Sequence, residues 1–130
     1  MIDLTDDIRL ANSVRKKAYV PCTEYAVGAV LMAKNGKRYT GCNIENQGIQ
    51  SICAERVAFF KAISEGEREF EKIVIIGGPK DKDPIKILPC GYCRQFMSEF
   101  VDKDFKIYTV YENKVEEYTM EELLPYAYNF

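Results

Sequence analysis

Three thiols and one carboxylate in this 130-residue chain stand at spacings that suit metal chemistry. They are Cys53 and Glu55 in Cys53-Ala54-Glu55-Arg56, and Cys90 and Cys93 in Pro89-Cys90-Gly91-Tyr92-Cys93. The chain has no histidine, so the usual neutral-pH proton shuttle and the commonest nitrogen ligand are both missing. Catalysis then falls to carboxylates, thiols, hydroxyls, amines or a bound metal. Cys90 and Cys93 lie three apart at the start of an expected helix, which puts both sulfurs on one turn. Cys53 stands at a second expected helix start, and helix N-termini favour thiolate through their dipole and unpaired amides. Three thiolates on Zn2+ leave a fourth position for water, the pattern of a catalytic rather than a structural site. Glu55 suits the proton carrier between that water and a substrate nitrogen. Three thiolates also leave net negative charge, which weakens acidification of water. Arg56 and Arg94, each immediately after a motif residue, supply compensating charge together with the two helix dipoles.

Two other readings compete. Cys90-x-x-Cys93 could be a thioredoxin-like redox pair, but that pair normally stands alone near the chain start, and here a third cysteine has an obvious role. Cys42 could close the zinc site as a fourth ligand, which would make the chain a zinc-stabilised binding module without catalysis.

The elements that must position these residues follow from periodicity. Leu4, Ile8, Ala11, Val14 and Ala18 recur at helical spacing, with Asp3 or Thr5 to cap the start and Asp6 and Asp7 at the positive end of the dipole. Pro21 marks a loop over 19–24. Residues 25–33 and 37–43 read as two antiparallel strands joined at Asn35-Gly36, with Gly28 marking a close backbone approach. Residues 43–51 are polar and aperiodic. Residues 53–63 form a helix so apolar that burial on most sides is expected, ended by Gly66. Residues 73–78 read as a central strand covered on both faces. A charged loop over 79–84 precedes a helix from Cys90 to about Phe100. Residues 105–111 and 115–118 form strands turning at Glu112-Asn113-Lys114, and residues 120–124 form a closing helix before Pro125. This order predicts an α/β fold, a mixed five-stranded sheet with helices on both faces, in a single domain over residues 1–130.

Composition narrows the function classes. A formal net charge of −2 with acidic residues interspersed argues against nucleic acid as the main ligand. No stretch has the length to cross a membrane, and the acidic start Met1-Ile2-Asp3-Leu4-Thr5-Asp6-Asp7 is unlike a signal peptide, so a cytoplasmic location is expected. Five cysteines, an odd number, fit metal binding better than a disulfide framework.

Cys-Ala-Glu-Arg followed by Pro-Cys-Gly-x-Cys-Arg-Gln resembles the short, homotetrameric cytidine deaminases of the zinc-dependent deaminase superfamily. The resemblance spans nearly the whole chain. Tyr19-Val20-Pro21-Cys22-Thr23-Glu24-Tyr25-Ala26-Val27-Gly28-Ala29 is similar to the family's Tyr-x-Pro-Tyr-Ser-x-Phe-x-Val-Gly-Ala, Gly41-Cys42-Asn43-Ile44-Glu45-Asn46 to its Gly-Cys-Asn-[Ile/Val]-Glu-Asn, and Leu123-Leu124-Pro125 to its C-terminal Leu-Leu-Pro. The resemblance implies the three-layer α/β/α deaminase fold and one zinc per subunit on Cys53, Cys90 and Cys93, with Glu55 as proton shuttle. It implies substrate contacts from Asn43 and Glu45 on the ribose, from Tyr25 beside the pyrimidine and from Ala54. It also implies a homotetramer in which Tyr128 covers a neighbouring subunit's site, and deamination of cytidine and 2′-deoxycytidine in pyrimidine salvage. From the residues alone, Asn43 and Glu45 read as loop-capping groups. The chain departs from the family at Cys22-Thr23, at Tyr25, at Leu88 in place of serine, and in a loop between Asn43 and Cys53 that is one residue shorter. These departures touch the pocket, so deamination of a modified cytosine nucleoside such as a blasticidin-S-like aminonucleoside stands as the alternative. Glu45 and Arg56, which blasticidin-S-type deaminases generally lack, favour the cytidine-like substrate.

Overall fold

The computed structural model describes residues 3–128. Helix α1 (Thr5–Arg15) leads into strands β1 (Tyr25–Ala33) and β2 (Arg38–Cys42), helix α2 (Ala54–Ser64), strand β3 (Phe70–Pro79), helix α3 (Gly91–Ser98), strands β4 (Lys106–Tyr111) and β5 (Lys114–Thr119), and helix α4 (Met120–Leu123). The element order is the one the periodicity predicts. The strands form one sheet in the order β2-β1-β3-β4-β5. Among the five described strands only β3 and β4 run parallel; the other pairs are antiparallel. That one parallel pairing needs a crossover connection, and the crossover delivers Cys90, Cys93 and α3.

Alternation along the strands sorts the side chains into two cores. Ala29, Leu31, Ile73, Ile75 and Ile107 face α2, α3 and α4, where they meet Ala58, Phe59, Ala62, Met97 and Leu123. Phe59 centres this layer, its ring 5.1 Å from Phe70 and 6.2 Å from Phe105. The opposite face, with Val30, Val74, Ile76 and Tyr108, is covered by Leu4 and Ala11 of the α1 segment. Burying each large aliphatic or aromatic group here stabilises by about 1.5–3 kcal/mol. The result is three layers, with α1 on one face and the site-bearing helices on the other.

Two turns show why their residues are where they are. Gly36 takes φ +89° at the tip of the first hairpin, and the Asn35 carboxamide oxygen accepts from Lys37 N at 2.9 Å. Glu112 and Asn113 both adopt positive φ (49° and 59°), the conformation that matches a two-residue turn to strand twist.

Two expectations need correcting, and Asp7 does more than expected. Leu4, not Asp3 or Thr5, occupies the N-cap of α1, without a side-chain cap bond; Asp3 Oδ1 instead accepts from Thr5 N at 2.9 Å. Asp7 lies in the first turn of α1 as expected, and it is paired as well. It is 1% exposed, with Arg38 Nε of β2 at 2.6 Å from Oδ1 and Lys72 Nζ of β3 at 3.3 Å from Oδ2. Helix α2 is not covered all round: Phe60 and Lys61 are exposed, with Phe60 meeting only the edge of Phe96 of α3 at 5.3 Å.

Candidate active site and metal centre

Each of the three cysteines sits where a helix begins. Cys53 is the N-cap residue of α2, Cys90 is the N-cap of α3, and Cys93 lies in its first turn. The Cys90 sulfur accepts from Cys93 N at 3.5 Å, so it caps the helix as well as facing its neighbours. The Cys53 and Cys90 sulfurs are 3.7 Å apart, and those of Cys90 and Cys93 are 3.5 Å apart. All three lie within 4.8 Å of one another, the metal-ligand cluster found among the described residues. A tetrahedral zinc with Zn–S of about 2.3 Å would set its sulfurs about 3.8 Å apart. The donor set and its spacing fit zinc.

Cys42 does not join them. It pairs with Gly28 across β1–β2, and the Cβ position of Gly28 faces Ala11 and Arg15 of α1. Cys42 is therefore on the sheet face opposite α2, where burial pushes its thiol up. With that position lost to it, the closed four-thiolate site has no fourth sulfur. All five cysteines are free.

The electrostatics favour ionised sulfur at Cys53. Hydrogen bonding from Cys93, with further help from Arg56 and Cys90, pulls the Cys53 thiol down to about 5 against the opposing effect of burial. Cys93 is pushed the other way, chiefly by the same shared proton and by burial. Arg56 Nη2 lies 3.8 Å from the Cys53 sulfur, while its guanidinium stacks 4.2 Å from the centroid of the Tyr92 ring. Tyr92 was not singled out from the sequence. The available signal was an aromatic residue between the two cysteines of the second motif, opposite an arginine in the first. Cation–π contact of this kind is worth about 0.5–1 kcal/mol at an exposed ring.

Arg94 is employed differently from expectation. It donates from Nε to Pro89 O at 2.7 Å and from Nη1 to Leu123 O at 2.9 Å. It buckles the entry to α3 onto α4, and none of its recorded bonds goes to a thiol.

Glu55 is 4% exposed, in the first turn of α2 beside Cys53. Burial, with a smaller contribution from the charge on Cys53, raises its carboxyl to about 7. A carboxyl poised near neutrality can both take up and give back a proton. Ala54, between Cys53 and Glu55, is fully buried against the sheet; its carbonyl faces Gly41 of β2, whose Cβ would stand 2.3 Å from it.

The residues that the resemblance assigns to the sugar are braces in the structure. Asn43 donates to Tyr25 O at 2.7 Å and accepts from Val27 N at 2.9 Å, closing the open end of β1. Glu45 accepts from Cys22 N at 2.8 Å and from the Thr23 hydroxyl at 2.5 Å. Both lie at the loop-capping positions their residue types suggest. Glu45 also lines a cleft of about 910 Å³ with Tyr19, Pro21, Thr23, Asn46 and Ser51. Tyr25 is half-buried and alternates with Val27 onto the α2 side of the sheet. Tyr128 lies 67% exposed beyond α4.

Comparison with known proteins agrees with this geometry. Residues 3–109 match the family model described as the cytidine and deoxycytidylate deaminase zinc-binding region. The chain is 38% identical over 130 residues to a cytidine deaminase of Sporosarcina psychrophila, covering 98% of this chain and 93% of the relative. It is 42% identical over 123 residues to one of Halalkalibacterium halodurans, covering 93% and 90%. The crystal structure of cytidine deaminase from Burkholderia pseudomallei superposes with a TM-score of 0.86 at 34% identity, covering 98% of this chain and all of that one. With its three thiols gathered at two helix starts and a buried glutamate in the first turn of α2, the chain belongs to the zinc-binding cytidine and deoxycytidylate deaminase family.

Proposed function

We propose that the protein is a zinc-dependent hydrolase that deaminates cytidine, and 2′-deoxycytidine, to the uridine product and ammonia. The observation that carries this reading is the convergence of Cys53, Cys90 and Cys93 within 4.8 Å with the buried Glu55 in the first turn of α2. Cys53, Cys90 and Cys93 would hold the metal. When bound there, zinc supplies the Lewis acidity that activates water for attack at C4 of the cytosine ring. The protein's own residues do the rest. Glu55 moves protons, first to ring N3 and then to the departing amine. Burial keeps that carboxylate dry and within a narrow range of positions. Arg56, held against Cys53 by the Tyr92 ring, offsets sulfur charge that would otherwise oppose the chemistry. Glu45 and Asn43 offer remaining hydrogen-bonding capacity to the sugar, and Tyr25 an aromatic wall for the base.

Further parts of this reading are a homotetramer and a cytoplasmic role in pyrimidine salvage. Exposed Ile49, Tyr126 and Tyr128 supply apolar surface suited to neighbouring subunits, with Tyr128 as the cover of an adjacent site. None of the described helices is long and apolar enough to cross a membrane. A second reading, deamination of a modified cytosine nucleoside, is favoured by the open cleft at Cys22, Thr23 and Gln47. The zinc-stabilised binding module depended on Cys42, which lies across the sheet from α2.

The test is a panel of cytidine, deoxycytidine, cytosine and blasticidin S with zinc-loaded protein, followed by absorbance loss and ammonia release. Turnover of the two nucleosides is the expected result; turnover of blasticidin S alone would move the assignment to the second reading. Glu55→Gln should keep its zinc and its fold and lose turnover by about 10²-fold or more. Retained turnover would remove Glu55 from the proton path.

A further inference from the structure

The turn before β1 makes more contacts to Glu45 than a loop brace needs. Cys22 N and Thr23 N both donate to Glu45 Oε1, at 2.8 and 3.3 Å. Thr23 Oγ1 donates to Oε2 at 2.5 Å. The Thr23 hydroxyl in turn accepts from Tyr25 N at 3.1 Å. A hydroxyl has one hydrogen and two acceptor lone pairs, so the bond from Tyr25 N directs that hydrogen at Glu45. The intervening residue, Glu24, makes this possible by adopting φ 55°, a left-handed conformation that costs a non-glycine residue about 1 kcal/mol or more.

Three donors on a carboxylate with about four acceptor sites leave one position open. Oε1 takes two of them and Oε2 takes one, so the open position is on Oε2, the oxygen held by the Thr23 hydroxyl. Glu45 lines the cleft walled by Tyr19, Pro21 and Ser51. The same contacts, the Thr23 hydroxyl first, keep the Glu45 carboxyl below its ordinary value. A clamped, ionised carboxylate with one vacant lone pair is an acceptor for a single hydroxyl donor.

We propose that Thr23 is a positioning residue for substrate recognition: its hydroxyl orients Glu45 so that the open acceptor on Oε2 meets a sugar hydroxyl. This rests on the reading of the cleft as a nucleoside pocket. It adds that selection for a hydroxylated sugar is set by a residue that does not itself touch the sugar. Thr23 and Glu45 belong to different loops, so the clamp also joins the turn before β1 to the loop that leads into Cys53.

The experiment is steady-state kinetics of the zinc-loaded protein on cytidine and on 2′,3′-dideoxycytidine, for wild type, Thr23→Val, Thr23→Ser and Glu45→Gln, with melting midpoints for each. Thr23→Val should raise KM for cytidine about tenfold, the loss expected for a hydrogen bond to a charged group, with kcat little changed. KM for dideoxycytidine should be unaltered, and Thr23→Ser should restore the wild-type value. An equal rise on both substrates, or a rise that follows a fall in melting midpoint, would reduce Thr23 to a structural pin and overturn the proposal. A sugar-dependent loss in Glu45→Gln with Thr23→Val silent overturns the role of Thr23 alone. No sugar dependence in Glu45→Gln overturns the underlying assignment of Glu45. Absence of turnover on both nucleosides overturns the nucleoside reading and the proposal with it.

Discussion

At the scale of single residues, this site works by giving ordinary side chains unusual surroundings. Glu55 is a plain first-turn glutamate by position, and burial is what changes its chemistry. Glu45 shows the opposite: it is only half-buried, yet three donors hold its carboxyl below 4.5, its ordinary value. The sign of its pH effect follows. A carboxyl lowered on folding contributes stability that is complete above 4.5 and fades as pH falls through the lower folded value. The difference in urea midpoint between wild type and Thr23→Val should therefore be constant from neutrality to about pH 5 and shrink below it. A gap that widens in acid would show that the Thr23 hydroxyl does not stabilise the ionised form.

Elements carry a different set of constraints, and they were unequally visible beforehand. The strands, both hairpin turns and the two cysteine-bearing helix starts were legible because each is encoded by neighbours: Asn35-Gly36, the aliphatic run over 73–76, Cys90-x-x-Cys93. Asp7 was not. In a helical repeat it looks like any first-turn acid, and its partners Arg38 and Lys72 come from two strands that only the finished sheet brings beside it. Arg94 was misjudged for the same reason, since its acceptors are backbone carbonyls that carry no sequence signal. Helix α2 was misread by composition, because Phe60 is apolar yet exposed. Motif spacing was enough to expect the three thiols of Cys53, Cys90 and Cys93 in one place, where they lie, whereas Tyr92 and Thr23 emerge only from contacts across loops. Asp7→Asn leaves the buried Lys72 and the partly exposed Arg38 facing a neutral amide, and breaking a buried pair costs about 3 kcal/mol. Urea unfolding should show that loss with an unchanged slope. Zinc content should stay at the wild-type level, since α1 lies on the other side of the sheet.

For the whole molecule, the metal centre is also a fastening. Cys53 enters from α2, and Cys90 and Cys93 from α3, so a shared ion ties together helices on one face of the sheet. Zinc at a hundredfold excess over its dissociation constant would stabilise the folded state by about 2.7 kcal/mol. For a chain of this size, chelation should then lower the melting midpoint by about 10 °C. Thiol titration gives an independent reading. In the zinc-loaded protein Cys22, which is exposed, should react promptly. After chelation Cys53 and Cys90 should become reactive, with Cys42 lagging because burial raises its thiol, and Cys93 because the proton shared with Cys53 and its own burial raise it. Unchanged thiol reactivity on chelation would place the metal elsewhere.

The absence of a side chain at Gly41 has a consequence for how such a protein can change. A methyl group there would lie 2.3 Å from the Ala54 carbonyl and 2.7 Å from Ala58 N, so any larger residue must lift the front of α2 away from the sheet. Cys53 and Glu55 ride on that part of the helix, while Cys90 and Cys93 belong to α3 and would stay. The affinity for zinc is thus tuned from behind, by a strand residue that meets neither metal nor substrate. Variation at this edge of the sheet would be felt as a mismatch in ligand spacing long before it was felt as unfolding.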